Sequence, residues 1–221
     1  MNQQIKIFNG KVILPGRIID RGTVLVTDGK ITAVAEGDPD CKDAIEIDAN
    51  GGYISPGFID IHIHGGGGHD FMDGTTEAFL GIAQLHAKHG TTAMLPTTLT
   101  SEKEDLLLTL STYEAANKIN IMGSSFIGMH LEGPYFSMNQ RGAQDPKYIR
   151  DPDPAEYKEI LAGYPAIKRW SAAPELKGAI EFGKYVQSKG VLVAMAHTDA
   201  VYEEALKAFE KAWKYFEKSK S

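Results

Sequence analysis

Three features are scarce in this sequence of 221 residues: cysteine, an excess of basic charge, and long apolar runs. The single cysteine, Cys41, excludes an intrachain disulfide. A formal net charge of −6 argues against nucleic acid or an anionic membrane as the main partner. No apolar run approaches the length of a membrane span, and the opening MNQQIKIFNG lacks the basic start and apolar core of a signal peptide. We therefore expect a cytoplasmic protein that binds neither nucleic acid nor membrane.

The rest of the composition is ordinary for a globular protein, with 43% hydrophobic and 24% charged residues. Residues 1–54 read as short strands joined by turns. The dipeptide Asp28-Gly29 stands between alternating apolar positions, which is a strong hairpin signal. The sequence therefore predicts a small all-β domain at 1–54, and no residue in it suggests chemistry.

From Pro56 onwards, apolar runs of strand length alternate with helical segments, a pattern typical of βα units around a parallel sheet. The five predicted strands are GFIDIHIH, TTAMLPTT, SFIGMHLE, IKRWSAA and VLVAMAH. A complete (β/α)₈ barrel takes eight strands and typically about 250 residues. Residues 55–221 are thus predicted to be an α/β domain, a partial TIM-type (β/α) barrel with about five of eight βα units. A barrel stopped there leaves two open edges, so we expect marginal stability, aggregation or pairing of copies.

The predicted helices carry recognisable end signals. Ser101 with Glu104 three residues later is a capping-box pattern, and Gly190 follows a helical segment as a C-terminal glycine does. The last segment predicts an amphipathic helix packed on the sheet by one apolar face. That face comprises Tyr202, Ala205, Phe209, Ala212, Trp213 and Phe216.

Polar side chains gather where the predicted strands end. Residues two apart on a strand share a face. Alternation therefore places Asp60, His62 and His64 on one side of their strand and Ile59, Ile61 and Ile63 on the other, against the outer helices. The same rule turns His130 and Glu132 inward on the third strand, and Val193, Met195 and His197 inward on the fifth. Active sites of such barrels lie at this edge, so three strand ends deliver imidazoles and a carboxylate to one rim.

These side chains are a ligand set for a divalent metal, most simply Zn²⁺. A single such histidine is more often a core residue held by a backbone carbonyl. Four candidate ligands at three strand ends favour the metal instead, because burying that much polarity without a shared partner costs several kcal/mol. The predicted ligands are His62, His64, Glu132 and His197. His130 is expected in the layer beneath them, with a supporting role.

Four motifs, GGYISPGFIDIHIHG, GTTAMLPTTLT, IGMHLEGPY and AMAHTDA, resemble the amidohydrolase superfamily and, within it, the N-acetylglucosamine-6-phosphate deacetylases. The resemblance implies a small β-sandwich built from both chain ends, a metal-dependent (β/α)₈ barrel, and a homodimer at full length. It implies hydrolysis of N-acetylglucosamine 6-phosphate to glucosamine 6-phosphate and acetate with one or two divalent ions, most simply zinc.

Carried over by position, the resemblance makes Glu132 and His197 primary metal ligands and His62 with His64 the pair of a second metal. The motif RGAQDP matches a loop that contacts the sugar, which assigns Ala143 and Gln144 to substrate binding. Some members have histidine where this chain has Gln144.

The family's further metal-binding histidine, its catalytic aspartate and its phosphate-binding groups have no counterpart among these motifs. We therefore expect a C-terminally shortened chain without a general base and with little activity of its own. Two alternatives stay open. One is a non-catalytic half-barrel that binds metal, sugar phosphate or a partner subunit. The other is an amidohydrolase for cyclic amides, although HLEGPY supplies a glutamate where those enzymes generally use a modified lysine.

Overall fold

The structure, a computed structural model, describes residues 4–211, and the chain divides into two compact units, Met1–Gly57 and Phe58–Ser221. The strands of the first unit are β1 (Gln4–Leu14), β2 (Arg17–Thr27), β3 (Lys30–Glu36), β4 (Ile45–Asp48) and β5 (Tyr53–Ile54). No helix among residues 4–211 is both long and apolar enough to cross a membrane.

The elements of the second unit follow in chain order. They are β6 (Phe58–Ile63), β7 (Gly65–Gly66), β8 (His69–Asp70), α1 (Thr76–Lys88), β9 (Thr91–Pro96), α2 (Lys103–Ile119), β10 (Ser125–Phe126), β11 (Met129–Glu132), α3 (Pro154–Gly163), β12 (Ile167–Ala172), α4 (Ala179–Ser188), β13 (Leu192–Met195) and α5 (Tyr202–Lys211). Short 3₁₀ turns occupy Phe71–Asp73 and Met138–Gln140.

The first unit is one sheet with strand order β3-β2-β1-β4, and β5 also pairs with β1. The predicted hairpin at Asp28-Gly29 is confirmed: Thr27 pairs with Lys30, and both turn residues have positive φ, 51° and 76°. This backbone matches the twist of the strands and favours Asp-Gly. A small apolar cluster of Val12, Ile19 and Val24 lies on this sheet.

The predicted α/β character of the second unit is confirmed, and all five predicted strands form. The parallel strands pair in the order of the chain, as β6-β9-β10 and as β11-β12-β13, with a bridge from Thr97 to His130 between the two groups. The run SFIGMHLE divides into β10 and β11 at Gly128, whose φ is 138°. A Cβ there would lie 2.2 Å from Lys168 Cγ, so only glycine fits this break.

Helices cover the sheet and form one apolar core with it. In that core the ring of Tyr135 stacks on Trp170, with centroids 5.7 Å apart, and Trp170 Nε1 donates to the Gly133 carbonyl at 2.8 Å. The predicted end of α4 is confirmed, because Gly190 has a φ of 76° and its N–H donates to the Gln187 carbonyl at 2.9 Å.

The predicted capping box at Ser101 is wrong. Helix α2 begins at Lys103 with Glu102 as its N-cap, and no side chain caps it. The Ser101 hydroxyl instead donates to the Glu102 carbonyl at 3.0 Å, and the Glu102 carboxylate binds Lys147 at 3.0 Å. Both side chains thus bind groups other than the first amides of α2, and the N-cap lies one residue later than predicted.

The apolar stripe predicted for the last helix is also wrong within α5. Tyr202 is 73% exposed and Phe209 41% exposed, and the buried residue is Ala208. Helix α5 contacts α4, and the small side chain of Ala208 is fully buried, so the burial on this helix does not follow the predicted stripe. Ala212, Trp213 and Phe216 lie outside the described residues.

Strand β6 differs from expectation on its outer face. Ile63 packs against the core, whereas Ile59 and Ile61 are exposed. Helix α1 packs on β9 and the β7–β8 hairpin, so it does not cover these two isoleucines. Among the described residues β6 pairs only with β9, and β13 only with β12.

Candidate metal centre

The predicted ligands come from three strand ends that share one edge of the sheet. His62 lies near the end of β6 and His64 just after it, Glu132 ends β11, and His197 follows β13 by two residues. Parallel strands place their carboxyl ends together, so residues far apart in sequence meet here.

The structure brings all four side chains into contact around the Glu132 carboxylate, which is 5% exposed. The Oε1 atom lies 3.2 Å from His62 Nε2 and 3.4 Å from His197 Nε2, and Oε2 lies 3.1 Å from His64 Nε2. The two Nε2 atoms of His62 and His64 are 3.2 Å apart. The ends of β6 and β11 and the residues that follow β6 and β13 therefore bring these four side chains into one compact cluster.

Two of the imidazoles are oriented by backbone carbonyls. His64 Nδ1 donates to the Thr97 carbonyl at 3.2 Å, and His197 Nδ1 donates to the Gln140 carbonyl at 2.8 Å. In a neutral ring this leaves the Nε2 lone pair facing a carboxylate oxygen. Two electron-rich atoms at 3.1 to 3.4 Å repel unless a proton or a cation lies between them.

The donor set fits a metal ion by distance as well as by type. The ligand atoms of His62, His64 and Glu132 all lie within 4.8 Å of one another. Zinc bonds of about 2.0–2.1 Å in a tetrahedron place ligand atoms about 3.3–3.4 Å apart, which is close to the observed separations. These three residues form a candidate metal site, and His197 adjoins it.

The electrostatics of the cluster without a metal favour a charged Glu132 and a neutral His62, whereas they favour the protonated form of His64. Burial by itself would raise the pKa of Glu132, but the hydrogen bond from His64 and the charge of the surrounding imidazoles lower it to about 2. Burial lowers the pKa of His62, while the hydrogen bond to Glu132 raises the pKa of His64. The carboxylate is thus charged at neutral pH, as metal binding requires.

The two residues predicted to contact the sugar lie in different surroundings. Gln144 is buried, donates from Nε2 to Glu132 Oε2 at 3.1 Å, and accepts at Oε1 from the Thr100 N–H at 2.8 Å. Its amide therefore holds the carboxylate in place. Ala143 is exposed beside it.

His130 lies inward, as predicted, but outside the ligand cluster. Its Nε2 is 2.7 Å from Ser171 Oγ and its Nδ1 3.3 Å from Thr97 Oγ1. Its ring stands edge-on to His62 with centroids 4.8 Å apart. Burial lowers the pKa of His130 to about 3, so the ring is neutral and packs under His62.

A polar network around His197 was missed from sequence. It joins Ser137 and Gln140 to Asp199, which lies about sixty positions further along the chain. The motif AMAHTDA contains Asp199, but no periodicity indicates which loop it contacts.

The chain is similar to a known family and to several curated proteins. A family model described as the amidohydrolase family matches residues 53–221. The N-acetylglucosamine-6-phosphate deacetylase of Bacillus subtilis (strain 168) is 32% identical over 206 residues, covering 90% of this chain and 52% of that protein. The N-acetylgalactosamine-6-phosphate deacetylase of Escherichia coli O157:H7 is 28% identical over 193 residues, covering 87% and 50%. The chain spans about half the length of these curated relatives.

Solved structures give the same picture. The N-acetylglucosamine-6-phosphate deacetylase of Pasteurella multocida aligns with a TM-score of 0.87 at 26% identity, covering 95% of this chain and 55% of that one. A variant of the Mycobacterium smegmatis enzyme in complex with N-acetyl-D-glucosamine-6-phosphate aligns with a TM-score of 0.85 at 29% identity, covering 96% and 54%. A dihydroorotase at 18% identity and a TM-score of 0.52 shares the fold alone.

Proposed function

This chain belongs to the amidohydrolase family, and we propose that it serves the metal-dependent hydrolysis of N-acetylglucosamine 6-phosphate to glucosamine 6-phosphate and acetate. The observation that carries the proposal is the Glu132 carboxylate within 3.4 Å of three imidazoles, at the strand edge where this fold places its chemistry. The deacetylases among its relatives supply the substrate class.

The proposal includes the architecture. We interpret the second unit as about five of the eight βα units of a barrel, because its parallel strands follow one another in chain order. We interpret the first unit as part of a β-sandwich, with the domains at 1–54 and 55–221. At full length we expect a homodimer that acts on a small amino-sugar phosphate in the cytoplasm.

We assign His62, His64, Glu132 and His197 to a divalent metal, most simply one or two zinc ions. The chemistry supplied by such an ion is Lewis acidity, which activates water and polarises an amide carbonyl. Gln144 holds one oxygen of Glu132, and the Thr97 and Gln140 carbonyls hold two imidazoles, so the ligands are oriented before binding. We expect the loop with Ala143 and Gln144 to contact the sugar.

Metal binding is the first test. We expect the purified chain, treated with chelator, to bind zinc in calorimetry, and we expect Glu132→Ala with His197→Ala to abolish most of that binding. The matched control, Glu114→Ala with His89→Ala, removes the same residue types away from the cluster. Equal zinc binding by the double variant and the wild type would overturn the ligand assignment.

Substrate class is the second test. The chain is assayed for acetate release alone and fused to the C-terminal half of the Bacillus subtilis relative, with zinc or with chelator. We expect the fusion to release acetate from N-acetylglucosamine 6-phosphate in a zinc-dependent way and the chain alone to stay near background. Faster turnover of N-acetylgalactosamine 6-phosphate would reassign the sugar, and turnover of dihydroorotate instead would reject deacetylation.

A further inference from the structure

His197 stands on an unusual stretch of backbone. It follows β13 with a φ of 48°, in the left-handed region that costs a residue with a Cβ on the order of 1 kcal/mol. Its ring packs against Phe136, with centroids 4.4 Å apart. A non-glycine residue held in this region often marks a functional position, because the surrounding structure must enforce it.

One carbonyl decides which nitrogen of this ring faces Glu132. The Gln140 carbonyl accepts from Nδ1 at 2.8 Å, so the neutral ring carries its proton on Nδ1 and its lone pair on Nε2. Only that tautomer presents an electron pair to a cation beside Glu132 Oε1. The position of Gln140 therefore controls the ability of His197 to bind.

Asp199 holds the segment that contains this carbonyl. Its Oδ1 accepts from Gln140 Nε2 at 2.6 Å and its Oδ2 from Ser137 Oγ at 2.6 Å. Two backbone bonds close the loop, from Ser137 N to the His197 carbonyl at 2.9 Å and from Gln140 N to the Ser137 carbonyl at 3.1 Å. Residues 137–140 and 197–199 are thus joined by a closed circuit of hydrogen bonds.

Glu175 fixes the other end of this circuit. Its Oε2 accepts from Thr198 Oγ1 at 2.5 Å, and its Oε1 accepts from the Asp199 N–H at 2.8 Å. The turn after His197 is therefore anchored to the loop that follows β12. Asp199 is itself exposed, so its removal leaves the apolar core intact.

We propose that Asp199 is a positioning residue, which holds the Gln140 carbonyl against His197 Nδ1 and so prepares Nε2 to bind a divalent cation. The inference rests on the proposed metal site for its purpose, although the hydrogen bonds stand without it. Groups that orient a metal-binding histidine in this way contribute roughly 10- to 100-fold to metal affinity.

The chemistry of the circuit predicts an asymmetry between two substitutions. Asp199→Asn keeps an oxygen for Gln140 Nε2, and its amide can donate to Ser137 Oγ, since a hydroxyl also accepts. Asp199→Ala removes both bonds. Asp199→Asn should therefore keep the His197 tautomer and the zinc affinity that Asp199→Ala loses, although it also removes the charge. Asp151→Ala, at another exposed aspartate, is the matched control.

The first readout needs no metal. Long-range ¹H–¹⁵N NMR of the metal-free chain reports which ring nitrogen of His197 carries the proton, and the signals are assigned with His197→Gln. We expect the Nδ1–H form in the wild type, in Asp199→Asn and in Asp151→Ala. We expect a mixture with the Nε2–H form in Asp199→Ala. An unchanged tautomer in Asp199→Ala would overturn the proposal.

The second readout is zinc affinity by calorimetry on the same four proteins. We expect a loss of roughly 10-fold or more in Asp199→Ala, with Asp199→Asn and Asp151→Ala close to the wild type. Equal loss in alanine and asparagine variants would point to charge rather than positioning and would reject the inference. Absence of zinc binding by the wild type would reject the proposed function instead, and the NMR result would still decide the role of Asp199.

Discussion

The cluster around Glu132 predicts that this carboxylate stabilises the metal-free chain within a limited pH window. The perturbation is Glu132→Gln, which removes the charge and keeps the size and a hydrogen-bond acceptor for Gln144. The pKa of Glu132 falls from 4.5 to about 2, since the imidazoles outweigh the cost of burial. At 1.36 kcal/mol per pKa unit, the charged form stabilises the folded state by about 3 kcal/mol.

The stabilisation falls at both ends of this pH window, for opposite reasons. The folded pKa of Glu132 is lowered, so its contribution is complete above about pH 4.5 and is lost as the pH falls towards 2. At about pH 3 roughly half remains. The folded pKa of His64 is raised, so its share is present below 6.5 and is lost as the pH rises through the folded value. The wild type should therefore exceed the variant most between about pH 4.5 and 6.5.

The assay is urea unfolding of both proteins with chelator present, at about pH 3, 5.5 and 9. We expect the difference in unfolding free energy to be about 3 kcal/mol at the middle pH and smaller at both ends. Glu114→Gln, at an exposed site on α2, should show no such maximum. A difference that stays constant across the three pH values would refute the electrostatic reasoning.

Two further predictions concern packing. Gly128→Ala should destabilise the chain by about 2 kcal/mol or more, because its Cβ would meet Lys168 Cγ at 2.2 Å and the Ala166 carbonyl at 2.8 Å. The control Gly163→Ala, whose Cβ would have nothing within 4 Å, should be neutral or stabilising. Equal midpoints of the two variants in thermal unfolding would contradict this. Trp170→Phe should cost about 1–3 kcal/mol in urea unfolding, since it leaves the buried Gly133 carbonyl without the indole donor, and a loss below about 0.5 kcal/mol would show that this bond contributes little.

Much of the candidate site followed from local rules. The period of two along β6 and β11 was enough to turn His62 and Glu132 inward, because side-chain direction on a strand depends on the backbone alone, and His64 follows one residue after β6. The Asp28-Gly29 hairpin and the Gly190 helix end followed from the backbone angles that those residues adopt. These features depend on neighbours in the chain.

The errors arose where a partner from elsewhere in the chain decided the outcome. The exposure of Ile59 and Tyr202 depends on which helix covers β6 and on the small contact at Ala208. The contacts of Gln144 with Glu132 and Thr100 also join residues distant in the chain, and no local pattern indicated them. Amphipathic periodicity indicates that a face is apolar, but it does not determine what covers that face.

By itself the sequence determined the five parallel strands, their order, and the imidazoles and carboxylate that gather at the strand ends. Only the tertiary structure decided the distances among them, the tautomer that the Gln140 carbonyl imposes on His197, and the circuit through Asp199. The physical reason is the separation along the chain over which each interaction acts. Backbone preference acts over a few residues, whereas a hydrogen bond between side chains 59 positions apart exists only after the sheet has brought its loops together.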